Sequence, residues 1–82
     1  MVGGEKMKEL ELVKTAGGYK MNSTIVNGMK TYKTFISAVD RNRLLMAGQI
    51  ANRNGEIFIT EKGVETLKQL GYNIVVVGDE VS

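Results

Sequence analysis

Apolar residues repeat at helical spacing in three stretches of the chain and follow strand-like patterns in two others. From Glu5 to Ala16, Met7, Leu10, Val13 and Ala16 share one side of a helical wheel, with Glu and Lys opposite, which predicts a first helix. Gly17-Gly18 stops it, because glycine takes the left-handed C-terminal conformation readily. Tyr19-Lys20-Met21 reads as an extended link. Asn22-Ser23 then offers an N-cap for a short second helix, with Ile25, Val26 and Met29 on its buried side. Met29, Tyr32, Phe35, Ile36 and Val39 form a stripe that predicts a third helix over about 30–42. This region has a second reading. Asn27-Gly28 is also a hairpin signal, and residues 19–36 fit two strands joined there. Thr and β-branched content over the same residues weighs against helix.

The rest of the chain changes period. Leu44 and Leu45 either close the third helix or open a strand. Ile50–Arg53 and Glu56–Thr60 flank Asn54-Gly55, whose residues suit the positive φ values of a type I′ turn. A two-residue turn there predicts the pairs Arg53 with Glu56, Asn52 with Ile57, Ala51 with Phe58, and Ile50 with Ile59. Thr60 is the expected N-cap of a last helix carrying Val64, Leu67 and Leu70, ended by Gly71. Ile74–Val77 is continuously apolar and predicts a strand buried on both faces or against a partner. A frayed tail is expected at 79–82, and residues 1–4 are also expected to be flexible.

Composition narrows the chemistry. The 82 residues are enough for one modest core, and 43% hydrophobic with 24% charged residues is ordinary for a globular domain. No apolar run approaches the roughly 18–20 residues that span a bilayer, and no signal-like apolar segment opens the chain. Cys, His, Trp and Pro are all absent. The commonest general base, the commonest zinc ligands and the thiol nucleophile are therefore missing, so neither an enzyme nor a metal or other cofactor is expected. The lack of Cys fits a reducing, cytoplasmic setting.

Charge is unevenly placed although the formal net is only +2. Between residues 20 and 53, Lys20, Lys30, Lys33, Arg41, Arg43 and Arg53 face only Asp40. Elsewhere five lysines are outnumbered by eight carboxylates. A polyanion is drawn to the middle of such a chain.

These features together resemble the winged helix–turn–helix family of DNA-binding proteins. The resemblance rests on Ile25, Val26, Met29, Ile36 and Val39 at helix–turn–helix spacing, on Ala47-Gly48-Gln49-Ile50 before the hairpin, and on Ile59-Thr60-Glu61-Lys62-Gly63 leading to Leu67. It covers roughly residues 7–70. Lys30 stands where that family often has a turn glycine, Gly28 comes two positions early, the third helix is about one residue long, and the strand at Ile74–Val77 is an addition.

The resemblance implies an α+β fold for the whole chain: three helices, a β-hairpin wing, a fourth helix and the extra C-terminal strand. It implies a small transcriptional regulator binding double-stranded DNA as a homodimer, with self-association through Ile74, Val75, Val76 and Val77 and half-sites about 34 Å apart. The recognition helix would offer Lys30, Thr31, Lys33, Thr34 and Ser37 to bases, with Arg41 and Arg43 near phosphates. Asn52, Arg53 and Asn54 would ride the wing tip. Tyr32 and Phe35 are assigned to the core. The competing reading is a protein-interaction module, of winged-helix or β-rich type, with no nucleic-acid role.

Overall fold

The computed structural model describes residues 8–80. In chain order the elements are β1 (Lys8–Thr15), β2 (Gly18–Met21), β3 (Ser23–Val26), β4 (Met29–Tyr32), α1 (Ala38–Met46), β5 (Ile50–Arg53), β6 (Glu56–Ile59), α2 (Glu61–Gln69) and β7 (Tyr72–Asp79). Five strands form one sheet in the order β5–β6–β2–β1–β7, and β3–β4 is a separate hairpin. All pairings are antiparallel except β1 with β7. That parallel pair needs a long crossover, which α2 supplies from β6.

β1 reads KELELVKT, and apolar and charged residues alternate from Glu9 to Leu12. Leu10 and Leu12 point to one face and are both 0% exposed, while Glu9 and Glu11 point to the other. Register carries that face across the sheet: Leu10 pairs with Ile74, Leu12 with Met21, and Tyr19 with Ile59. Leu44 of α1 and Val64 and Leu67 of α2 close over it, so the core is one cluster between the sheet and two helices.

Both helices start on hydroxyl caps. The Ser37 hydroxyl accepts from the Asp40 amide at 3.3 Å, and the Thr60 hydroxyl accepts from the Gly63 amide at 2.9 Å. Gly63 is also a close-approach position. A Cβ there would sit 2.7 Å from the Gln49 carbonyl oxygen and 2.8 Å from Ile59 Cγ2. Both Asn-Gly turns are left-handed at both residues, with φ of 52° and 77° at Asn27-Gly28 and 53° and 79° at Asn54-Gly55. That is the type I′ hairpin geometry.

The winged-helix expectation is corrected by this architecture. Two helices are present where four were expected among these residues, and strands dominate. The predicted first helix is β1; its start at Glu5 and Met7 lies outside the described residues. A three-residue stripe through Leu10 and Val13 leaves out Leu12, whereas alternation buries Leu10 and Leu12 together. The predicted second helix is β3 and the turn into β4, as the alternative hairpin reading had it. The predicted third helix is divided: residues 29–32 are strand, and α1 begins only after Ser37. Its expected stripe is not a core face, since Met29 is 68%, Phe35 70% and Val39 67% exposed. Phe35 is thereby corrected from core residue to surface residue. The hairpin at Asn54-Gly55 has all four expected pairs, and α2 follows Thr60 as expected. The C-terminal strand is longer than Ile74–Val77: Asp79 belongs to β7 and Glu80 is bonded to Lys20, while residues 1–4 and 81–82 lie outside the described residues.

Candidate functional site

The position of α1 is set by a buried polar chain. The Tyr72 hydroxyl, at the start of β7, donates to Asp40 Oδ2 at 2.8 Å and accepts from the Ser37 amide at 3.0 Å. Lys8 Nζ lies 3.7 Å from the same carboxylate and 5.0 Å from the Tyr72 ring centroid. The hydrogen bond from Tyr72, then that from Ser37, holds the Asp40 carboxyl below its ordinary pKa, against the opposing effect of burial; Lys8 and Arg43 add smaller favourable charges. Asp40 and Leu44 therefore face inward. At 100° per residue, Val39 and Met46 are then carried outward together, with Arg43 beside them and Arg41 and Leu45 on the other flank.

That other flank borders a groove. A hollow of about 140 Å³ is lined by Arg41, Leu45, Ile50, Ala51, Asn52 and Ile57. A second, of about 200 Å³, is lined by Met21, Tyr32, Phe35, Ile36, Arg41, Ile50 and Ile57. They share Arg41, Ile50 and Ile57, so they are two parts of one apolar groove with a guanidinium between them. Arg41 has no carboxylate within 4.0 Å among the described residues. Around the groove the apolar surface continues, with Phe35 70%, Leu45 52% and Met46 83% exposed.

Arg41 is the groove's one charged side chain. A guanidinium donates hydrogen bonds in a planar fork and keeps its proton, so it can hold an anion but cannot relay protons.

The residues expected to contact DNA are spread over β4, the link to α1, α1 itself and the β5–β6 hairpin. Lys30, on β4, donates to the Gly55 carbonyl at 3.2 Å and lies 3.8 Å from Glu56. Thr31 faces Thr24, with their hydroxyls 3.0 Å apart. Lys33 lies 4.0 Å from Glu11, and the Thr34 hydroxyl is buried, accepting from the Glu11 amide at 3.0 Å. Ser37 is a helix cap. Arg43 is on the outer side of α1, away from the groove lining. Arg53 lies over the Phe58 ring at 5.6 Å, and Asn54 is a turn residue. The structure does bring Arg41 and Asn52 together at the groove, and Lys30 to the Asn54-Gly55 turn. Lys20 is held by Glu80 at 2.7 Å and Glu56 at 3.2 Å. Glu80 is the larger cause of its raised pKa, outweighing the desolvation that lowers it.

Phe35, Leu45, Met46 and Ile57 were not expected at a site. One local signal pointed to them: Ser37-Ala38-Val39-Asp40 has the spacing of a capping box, which starts α1 at Ala38 and turns Val39 outward.

No protein-family model, no curated protein and no solved structure matches this chain. Among the described residues no helix is long and apolar enough to cross a membrane.

Proposed function

We propose that the protein is a protein-interaction module whose groove beside α1 receives an apolar peptide segment carrying a carboxylate. The observation behind this reading is Arg41, without an acidic partner among the described residues, between two apolar hollows and beside exposed Phe35, Leu45 and Met46. Exposed apolar surface of this kind, bounded by charge, marks protein-binding sites. The groove's two hollows hold about 140 and 200 Å³. Hollows of that size suit the single apolar anchors that dominate interface energetics.

A nucleic-acid role draws less support. Phosphate binding needs several cations free to track a backbone. Here Lys20 and Lys30 lie against carboxylates, and Arg41 and Arg43 flank apolar side chains.

Selection of random displayed peptides on the full chain tests the reading. Selected peptides should share an Asp or Glu next to an apolar residue. Loss of one charge-assisted hydrogen bond is worth about 1.5–3 kcal/mol, so Arg41→Ala should weaken a selected peptide by about 10-fold or more, and Arg43→Ala by much less. Peptides without a carboxylate, or equal affinity for Arg41→Ala, would sink the proposal. So would tight, steeply salt-dependent binding of duplex DNA through these arginines, which would put the nucleic-acid reading in its place.

A further inference from the structure

The two edges of the sheet are unlike. The β5 edge is four residues long and ends in Arg53 at a tight turn, so it offers little to another strand. The β7 edge is eight residues long and, among the described residues, is paired only with β1. From Tyr72 to Gly78 it contains no charge and no proline. Its β-branched Val76 and Val77 are 50% and 47% exposed. The ladder to β1 slips by one residue at Val77, which leaves Tyr72–Val76 as the regular part of the edge. Native sheets blunt a long apolar edge with lysine, proline, a bulge or a covering segment; here the bulge stands at the far end, and Tyr72–Val76 has neither lysine nor proline.

We infer that β7 pairs antiparallel with β7 of a second copy of this chain, joining two sheets into one across a two-fold axis. Such an axis makes the strand its own partner, so its sequence must tolerate itself. This one does. In any antiparallel register centred on Ile74, Val75 or Val76, uncharged residues meet across the axis, and like charges are never directly opposed. Centred on Val75, the register sets Ile74 opposite Val76 of the second copy, a β-branched pair of the kind that stabilises cross-strand contact. The outer surface of α1 is a poorer self-interface, because Arg41 and Arg43 would confront their own copies.

Sedimentation equilibrium of the full chain over a range of concentrations tests this inference without any peptide. The expected mass rises to twice that of the chain. Val76→Lys sits at an exposed position, so the fold should persist by circular dichroism while the association weakens at least tenfold. Val39→Lys, also exposed but on α1, should leave the association unchanged. A single-chain mass at every concentration overturns the inference, as does a dimer that Val76→Lys leaves intact or that Val39→Lys dissolves. Neither result bears on Arg41 and the groove.

Discussion

Replacing Tyr72 with Phe removes one oxygen atom and keeps the ring. That hydroxyl is a donor to a buried carboxylate and an acceptor for the Ser37 amide, so a single deletion breaks two links of the chain that seats α1. A hydrogen bond to a charged group contributes about 1.5–3 kcal/mol, and an amide left unpaired costs about 1 kcal/mol or more. The sum is about 2–4 kcal/mol, a large share of the roughly 4–12 kcal/mol expected for a domain of this size. It corresponds to a fall in Tm of at least about 8 °C. The effect should also depend on pH in a defined direction. Asp40 has a folded pKa below its ordinary value, so its contribution is present above that ordinary value and is lost as pH falls through the depressed one. Tyr72 is the largest cause of the depression, so the gap between native chain and variant should be widest near neutrality and should narrow in acid. Urea denaturation of both proteins at a series of pH values measures it. A gap under about 0.5 kcal/mol, or one that stays constant through the acid range, would refute the assignment of Asp40 as a charged anchor.

Three further substitutions compare buried and exposed positions. Gly63→Ala gains helix propensity of roughly 1 kcal/mol but drives a methyl into the Gln49 carbonyl, so net destabilisation of about 1–3 kcal/mol is expected from urea curves. Leu12→Ala should cost about 2–5 kcal/mol, because the side chain is wholly buried, whereas Met46→Ala on the exposed surface should stay within about 0.5 kcal/mol in the same assay.

Some of the fold is legible in short stretches. Asn54-Gly55 specifies its turn, and the turn specifies the pairing of Ile50–Arg53 with Glu56–Ile59. Thr60 starts α2 because its hydroxyl reaches the Gly63 amide within the same four residues. The segment from Lys30 to Val39 is different. Its apolar residues fit a helix wheel, yet the cap at Ser37 starts the helix late and leaves Phe35 and Val39 in solvent. Periodicity records where apolar residues stand, not which of them are covered. β1 is the same case, since Leu10, Leu12 and Val13 satisfy parts of both periods until a sheet is there to bury the first two.

The site was the least legible part. Arg41 and Asn52 were chosen for their charge and polarity, and they do meet at the groove, but the apolar walls that give them a setting include residues distant in the chain such as Met21 and Tyr32. Lys30 and Lys33 looked available because their carboxylate partners, Glu56 and Glu11, are more than twenty residues away in the chain.

Local chemistry alone settles the Asn54-Gly55 turn, the Thr60 cap, the register of that hairpin and the absence of cysteine and histidine chemistry, since each depends on residues in contact along the backbone or on what the chain lacks. Folding in three dimensions decides that Lys8–Thr15 is a strand, that Asp40 is anchored on Tyr72, and that Arg41 stands between two apolar hollows. Those outcomes depend on which surfaces are buried against one another, and burial is a property of the assembled sheet and helices.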